Sequence, residues 1–213
     1  MFSKRIIEIA SLIPIKSSVV DVGCDHGLLD VYLTLNRKCK CIASDINENC
    51  LNQAKTNFKK FGLTKEIKIV NTDGLKNIDY KNNDYIVIAG MGTTTILDIL
   101  DNNHADNLII QSNNDLITLR EELSDDYCII DEKIIKERDI YYVVLKLKRG
   151  KSRYNDSDYI LGPIIKNKKS GLYKEYKEHL LNKYNKIYNE VKYKNLDKRL
   201  EIGRIIRKIR KYC

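Results

Sequence analysis

Several features of membrane-bound and secreted proteins are missing from this 213-residue sequence. It contains no apolar run long enough to cross a membrane and no charged-then-apolar signal segment at its N-terminus. Its six cysteines form no CxxC pair and no regular framework, which favours reduced thiols. We therefore expect a cytoplasmic protein with no membrane partner and no bound metal.

An excess of positive charge is also missing from most of the chain. Residues 1–150 hold 20 Lys and Arg against 22 Asp and Glu, a net charge of −2. Residues 151–213 hold 18 against 7, a net charge of +11. A neutral globular domain with a basic segment points to a polyanionic partner, although AT-rich coding also adds lysine to such a sequence.

The first glycine loop lacks the dinucleotide-binding fingerprint. Residues 19–22 form an apolar run with one acid, and a loop with Gly23 and Gly27 separates it from an apolar-periodic helix. Strand, loop and helix predict the first unit of a doubly wound nucleotide-binding sheet. The loop has no Gly-x-Gly-x-x-Gly pattern, and the carboxylates of Asp21 and Asp25 would repel a pyrophosphate. They suit the ammonium and sulfonium groups of S-adenosylmethionine.

Two further acids follow later strands. Asp45 ends the next apolar run, 22 positions after Gly23, close to the roughly 20-residue spacing at which an acid meets ribose hydroxyls. Asp73 and Gly74 follow the third predicted strand, where a carboxylate can reach the exocyclic amine of an adenine. The alternative is structural, with capping aspartates in an ordinary turn and a plain Asp-Gly turn dipeptide.

The order of elements predicts an α/β fold, a Rossmann-like seven-stranded S-adenosylmethionine-dependent methyltransferase sheet in a domain at 1–150. Five strands alternate with helices, and two alternating apolar–polar segments at the end are typical of a β-hairpin. An amphipathic helix at 1–13 is expected to pack on this domain. The predicted strands are 19–22, 39–44, 66–70, 85–89 and 107–111, with the hairpin at 127–136 and 139–148.

The last 63 residues have a different pattern. A polar joint at 148–153 and a fixed turn at 161–163 come first. Apolar residues then recur at threes and fours over 172–191 and again over 196–212, which predicts an antiparallel helical hairpin, or coiled coil. We assign residues 151–213 to a basic helical-hairpin domain that contacts nucleic-acid phosphates, with a merely solvated charged face as the alternative.

Three motifs together resemble those of the bacterial TrmK family. They are Asp-Val-Gly-Cys-Asp-His-Gly at 21–27, Ile-Ala-Gly-Met-Gly at 88–92 and Gln-Ser-Asn at 111–113. The resemblance covers the whole chain and implies methylation of N1 of adenine 22 in tRNA, with S-adenosylmethionine as cofactor and no obligate protein partner. The family usually has glycine at the position of Thr93 and proline at that of Ser112.

The resemblance and the strand order together assign the site residues. Asp25 is the candidate catalytic residue, which would stabilise charge developing on the adenine, and His26 would orient it or relay a proton. The cofactor-binding candidates follow the predicted strands and are Asp21, Gly23, Asp45, Ile46, Asp73, Gly74, Gly90 and Met91. The substrate-binding candidates are Gln111, Asn113, Lys183, Lys186, Arg204 and Arg207.

Two other functions fit the same pattern less well. One is a methyltransferase for another RNA base, including thiolate chemistry at Cys24, although a single cysteine in a cofactor loop is more often a small filler. The other is a non-catalytic RNA-binding protein on the same scaffold. The acids Asp21, Asp45 and Asp73 argue against it, because a site without a ligand has no need of them.

Overall fold

A single mixed sheet organises the computed structural model, which describes residues 2–101, 103–168, 170–191 and 195–212. The strand order is β3-β2-β1-β4-β5-β7-β6. The first five strands are parallel, and the last two pair antiparallel. This confirms the predicted fold class. The strands are β1 (Ser18–Val22), β2 (Lys40–Asp45), β3 (Ile67–Asn71), β4 (Tyr85–Met91), β5 (Asn107–Ser112), β6 (Tyr127–Glu137) and β7 (Ile140–Arg149).

Helices cover both faces of the sheet. They are α1 (Lys4–Ser11), α2 (Leu28–Arg37), α3 (Glu48–Lys60), α4 (Thr93–Leu100), α5 (Leu116–Leu123), α6 (Asp156–Leu161), α7 (Gly171–Glu190) and α8 (Leu196–Lys211). Short 3-10 helices lie at Tyr80–Asn82 and Ile165–Asn167. No helix of the described residues is long and apolar enough to cross a membrane.

Alternate residues of the central strands point into two apolar layers. Ile86 and Ile88 of β4 enter the layer that α4, α5 and the C-terminal helices cover. Val87, between them, enters the layer under α1, α2 and α3. All three are fully buried, as expected for a parallel strand with helices on both faces. The continuous apolar run of β4 in the sequence is therefore explained by burial of the strand on both faces of the sheet.

The first helix begins later than predicted. We expected a helix over 1–13, whereas α1 spans Lys4–Ser11, and the side chain of Ser3 caps it by accepting the amide N–H of Ile6. Its buried residues, Ile9 and Ala10, belong to the layer that α2 and α3 cover. The helix therefore packs on the sheet domain, as predicted.

Two helices form the predicted hairpin, and its antiparallel direction is visible at both ends. Near the start of α7, the Lys177 ammonium donates to the carbonyl of Tyr212, beyond the end of α8, at 2.9 Å. At the other end, the Arg199 guanidinium donates to the carbonyls of Tyr188 and Val191 at 2.9 Å each. The predicted connection between the two helices includes Tyr193 and Lys194, which lie outside the described residues.

The segment between β7 and the hairpin packs on the sheet rather than serving only as a joint. Helix α6, which we did not predict, begins with a capping box between Asn155 and Asp158. The Tyr154 hydroxyl accepts the amide N–H of Ile129 at 2.8 Å. The division at 150 stays a prediction, but the segment at 151–168 is attached to the first domain by these contacts.

Candidate active site

A cavity of about 690 Å³ opens at the carboxyl ends of β1, β2, β3 and β4, within the roughly 300–1,000 Å³ range of ligand pockets. The chain crosses from one face of the sheet to the other between β1 and β4, where doubly wound sheets bind ligands. Most sequence-predicted cofactor residues line this cavity, together with Asp25: Gly23, Asp45, Ile46, Asp73, Gly74, Gly90 and Met91.

The first loop lines the cavity with backbone. Gly23 has φ +72°, and a Cβ added there would lie 2.1 Å from the Met91 methyl carbon. The amide N–H groups of Gly23 and Cys24 both donate to the carbonyl of Ser44, at 2.8 and 2.9 Å. A side chain at position 23 would therefore displace Met91 and narrow the cavity.

Asp25 and Asp45 are held together at the wall of the cavity. Asp25 adopts a left-handed backbone conformation, with φ 51°. Its amide N–H donates to one carboxylate oxygen of Asp45 at 3.1 Å, and that of Asn47 donates to the other at 2.8 Å. Two backbone donors thus fix the Asp45 carboxylate, while the Asp25 carboxylate stays exposed.

Asp73 does not carry an isolated charge in the cavity. Its carboxylate lies 2.6 Å from the ammonium of Lys76, and both residues line the cavity. The pair is mostly exposed, so solvent screens it.

Asp21 lies below the loop instead of in the large cavity. It is buried and lines a second cavity of about 320 Å³ between α1 and the first loop, which His26 also lines. Burial raises the pKa of Asp21 to about 7, and the nearby Asp45 adds to this rise. Asp30 lies within hydrogen-bonding reach, and burial and Asp21 raise the pKa of Asp30 as well. The two carboxyl groups therefore share a proton.

His26 is adjacent to Asp25. Its Nδ1 lies 3.5 Å from an Asp25 carboxylate oxygen, close to but longer than a good hydrogen bond. The Asn57 side chain donates to the His26 carbonyl at 2.9 Å and so ties the loop to α3. The proposed orienting role stays a prediction.

Cys24 is poorly suited to nucleophilic chemistry. It is a free thiol, and it is buried. Burial raises its pKa, and the carboxylates of Asp21 and Asp30 raise it further. Because only the thiolate attacks, the alternative that Cys24 is a nucleophile is disfavoured.

Gln111 and Asn113 are in contact, but only one of them is accessible. Gln111 is fully buried, and its amide donates to the Asn113 side-chain oxygen at 3.0 Å. Asn113 is exposed, and its amide donates to the Gly90 carbonyl at 2.6 Å. The prediction that Gln111 itself contacts a base does not fit its burial. It positions Asn113 instead.

The two departures from the family pattern contact each other. The hydroxyl groups of Thr93 and Ser112 lie 2.9 Å apart, and the Thr93 hydroxyl also donates to the carbonyl of Asp115. The Thr93 amide N–H donates to the Asn114 side-chain oxygen at 2.7 Å. These bonds join the β4 and β5 loops, so the two unusual residues act as a pair.

The predicted RNA-binding cations all lie on the surface of the hairpin. Lys183, Lys186, Arg204 and Arg207 are exposed. Of these four, Lys186 lies 4.0 Å from the Glu190 carboxylate in a mostly exposed pair. Other basic residues of the C-terminal segment have structural partners: Lys166 with Asp158, Lys168 with Asp131, Lys177 with the Tyr212 carbonyl, Arg199 with Tyr188 and Lys208 with Asp156. The basic face predicted from the sequence also includes Lys192 and Lys194, which lie outside the described residues.

Sequence reasoning missed several residues that line the cavity of about 690 Å³, including the polar residues Arg5, Thr95 and Asp98. Arg5 comes from α1, and its guanidinium stacks over the Tyr142 ring at 5.1 Å from the centroid. The amphipathic pattern of α1 predicts a helix, but it does not predict which strand end the helix reaches. Tertiary packing alone brings this cation to the cavity.

Comparison with protein families gives one match across most of the chain. The model of the TrmK family, described as tRNA (adenine(22)-N(1))-methyltransferase, matches residues 19–211. The Bacillus subtilis tRNA (adenine(22)-N(1))-methyltransferase is 32% identical over 184 residues, which are 80% of this chain and 77% of the relative.

Solved structures of similar proteins have the same architecture over the whole chain. The TrmK of M. capricolum, in complex with S-adenosyl-homocysteine, is 37% identical with a TM-score of 0.85 and covers 100% of this chain and 97% of its own. A putative tRNA (m1A22) methyltransferase of Streptococcus pneumoniae, in complex with S-adenosyl-L-methionine, is 27% identical with a TM-score of 0.88 and covers 100% and 99%.

Proposed function

The chain belongs to the TrmK family, and we propose that its cofactor occupies the cavity of about 690 Å³ at the ends of β1 to β4. It is an S-adenosylmethionine-dependent methyltransferase that acts on N1 of adenine 22 in tRNA. One observation supports this position for the cofactor site. Acids from three strand ends and glycine backbone from three surround one cavity at the switch point of the sheet.

The residues around the cavity fit S-adenosylmethionine. When bound, it supplies an electrophilic methyl group on a sulfonium centre. The carboxylate of Asp45, oriented by two amide N–H groups, suits the ribose hydroxyls, with Ile46 beside it. Asp73 and Gly74 suit the adenine end of the cofactor.

The methionine end of the cofactor is assigned to the first loop. Gly23 leaves room for it, because a side chain there would reach Met91. Asp21 faces this end from the adjoining cavity. Arg5 supplies a cation for the methionine carboxylate, since Lys76, the other cation on the cavity wall, is already paired with Asp73.

Asp25 is the residue we assign to the chemical step. Methylation of N1 leaves a positive charge on the adenine, shared with its N6 amino group. An exposed carboxylate at the cavity wall stabilises that charge and accepts a hydrogen bond or proton from N6. His26, 3.5 Å away, orients Asp25 or relays the proton. Positioning of N1 in line with the methyl group contributes most of the remaining rate enhancement.

The target adenine enters beside Gly90 and Met91. Gly90 has φ +85° and open space where a Cβ would be, so the base can approach the backbone. Asn113, held by Gln111 and by the Gly90 carbonyl, is the nearest exposed amide that can bond a base edge. Extruding a base from folded RNA costs a few kcal/mol, which contacts between the hairpin and phosphates offset.

The hairpin of α7 and α8 is the proposed tRNA-binding element. Its exposed cations are available for phosphates, and they account for part of the C-terminal net charge of +11. We also propose a cytoplasmic location, where a tRNA substrate is available.

Nucleoside mapping tests this function. The purified protein is incubated with unmodified tRNA and labelled S-adenosylmethionine, and the product is digested and mapped. We expect N1-methyladenosine at position 22 only, and no label in the same tRNA with guanine at position 22. Label on another base, or in the guanine variant, contradicts the assignment.

A further inference from the structure

A shallow cleft lies beside the active site, between the sheet domain and the hairpin. The loop after β5 forms one side of the cleft, and β7 and α7 form the other. The residues that matter below are Asn113, Tyr141, His179, Lys183 and Tyr184, all of which line it. Sequence reasoning assigned no role to His179.

Asn113 connects the cleft to the mouth of the active site. Its amide N–H donates to the carbonyl of Met91 at 2.8 Å, and its side chain donates to that of Gly90 at 2.6 Å. The same residue lines the cleft. A nucleotide in the cleft would therefore be separated from an adenine at Gly90 by a single asparagine.

Two aromatic rings contact each other in the cleft. The Tyr141 and His179 rings lie 4.8 Å apart between centroids, tilted by 40°. Tyr141 has further contacts, because its hydroxyl donates to Glu175 at 3.3 Å, the Lys136 ammonium lies 5.3 Å from its ring centroid and the Tyr176 ring centroid lies 5.8 Å away. His179 is exposed, so the outer face of its ring is accessible.

The charges around these two rings suit a base with its phosphate. Partial burial and the charge of Lys183 lower the pKa of His179, which favours the neutral imidazole, and its flat ring can stack on a base. Lys183, one turn along α7, is exposed and can pair with a phosphate. Asp115 of the loop after β5 also lines the cleft, and its exposed carboxylate disfavours a phosphate beside it.

We propose that this cleft binds a nucleotide of the tRNA next to the target adenine, with its base stacked on the exposed ring of His179 and its phosphate paired with Lys183. The proposal rests on the proposed function, since it extends the same substrate site. It adds a base-stacking contact to the electrostatic attraction of the hairpin. Aromatic stacking of unpaired bases is a common mode of RNA recognition.

Substitution of His179 tests the stacking contact. His179→Ala should raise the Kd and KM for tRNA about tenfold, within the range of a lost base stack, with little change in the affinity for S-adenosylmethionine. The dependence of tRNA affinity on salt should not change, because no phosphate contact is lost. His179→Phe should restore the wild-type KM, since it keeps an aromatic ring.

Lys183 tests the phosphate contact, and α7 offers a matched control. Lys183→Ala should reduce the slope of log affinity against log salt by about one unit. Lys174 is exposed on the same helix but does not line the cleft, and its place nine residues earlier puts it on the opposite helix face. Lys174→Ala should leave both the slope and the KM near wild type.

The outcomes separate this inference from the proposed function. If the wild-type protein does not methylate tRNA, the proposed function is wrong. If the wild type methylates tRNA and His179→Ala keeps a KM within twofold, the stacking proposal is wrong. It is also wrong if His179→Phe is as impaired as His179→Ala, because the imidazole would then act through its nitrogens. Equal effects of Lys183→Ala and Lys174→Ala would overturn the phosphate contact.

Discussion

Asp25 combines a strained backbone with an exposed side chain, which is the usual sign of a functional residue. Its φ of 51° is unfavourable for a residue with a Cβ, and the bond from its amide to Asp45 holds it there. The position therefore costs some stability. The fold keeps it because the same loop forms the cavity wall.

Asp25→Asn should reduce turnover far more than cofactor affinity. The amide keeps the shape of the side chain but cannot take a proton, so we expect kcat to fall by about 10²–10⁴-fold. Single-turnover methylation and calorimetry with S-adenosylmethionine measure the two effects. The control is Asp98→Asn, another acid on the cavity wall without an assigned role. A loss of cofactor affinity alone would make Asp25 a binding residue.

The buried pair of Asp21 and Asp30 makes stability depend on pH. The pKa of Asp21 is raised from 3.8 to about 7, so between these values the folded protein holds a proton that the unfolded chain has released. Stability is therefore greatest below about pH 4 as far as this pair is concerned, and it falls as pH rises towards 7. Both carboxylate oxygens of Asp30 are buried, and among the described residues their hydrogen bonds are limited to Asp21 and the backbone N–H of Asp30 itself, so the shared proton helps to compensate for their burial.

Asp30→Asn should reduce this pH dependence, because it removes one titrating carboxyl group and gives Asp21 a donor, although the burial of Asp21 remains. The amide can donate to Asp21 without a shared proton, so the variant should be more stable than wild type at pH 8, by more than about 1 kcal/mol. Urea unfolding at pH 5 and pH 8 measures the difference. Asp125→Asn, which removes the same charge from an exposed position, should leave the pH dependence unchanged. An unchanged pH dependence in Asp30→Asn would contradict the shared proton.

At the scale of elements, the sequence predicted what depends on local pattern. The continuous apolar run of β4 predicted a strand that is buried on both faces. The alternation of apolar and polar residues in β6 and β7 predicted strands that are buried on one face. Helix α6 was missed because its six residues are too few for a period to stand out. The burial of Gln111 was not predicted, because position on a strand does not reveal whether a polar side chain is exposed.

A buried ion pair joins the C-terminal segment to the sheet, and no local pattern predicts it. Arg120 of α5 and Glu132 of β6 lie 3.1 Å apart with fully buried side chains. Glu132 also accepts the amide N–H groups of Ile164 and Ile165, at 2.8 and 3.2 Å. Arg120 donates to the Tyr159 carbonyl of α6 at 2.9 Å. This cluster therefore holds the segment that leads to the hairpin.

Arg120→Ala should be strongly destabilising. It leaves the Glu132 charge buried without its partner, for which we expect a loss of about 3–5 kcal/mol in the free energy of unfolding. Circular dichroism in urea measures this loss. Lys208→Ala, which breaks the exposed pair with Asp156, should cost less than about 1 kcal/mol. A similar small loss in both variants would mean that the buried pair does not hold the fold together.

At the scale of the whole molecule, the boundary in net charge along the chain is not a boundary of the apolar core. The charge changes at about residue 150, but the apolar core does not, since Tyr176 and Leu180 of α7 and Ile209 of α8 belong to the core layer that β4 forms. Composition therefore predicted where the excess of positive charge lies, but not that the hairpin is part of the core. For the same reason, deletion of the hairpin would expose this core, and surface substitutions test its role better.

Replacing Lys183, Lys186, Arg204 and Arg207 with alanine together tests the basic hairpin in the full chain. All four are exposed, so the fold and cofactor affinity should be kept. Each lost phosphate contact should lower the salt slope by about one unit, and tRNA affinity near physiological salt should fall by about 10²-fold or more. Binding titrations of tRNA at several salt concentrations measure both.

The matched control removes the same charge from the opposite edge of the sheet. Lys59, Lys60, Lys65 and Lys68 are exposed around the end of α3 and on β3, the edge strand farthest from β6. Their replacement with alanine lowers the net charge from +9 to +5, as the hairpin variant does. Because long-range attraction alone depends on net charge, whereas contact depends on position, only the hairpin variant should lose the salt slope and the affinity. Equal losses in both variants would show that net charge, and not the hairpin surface, attracts the tRNA.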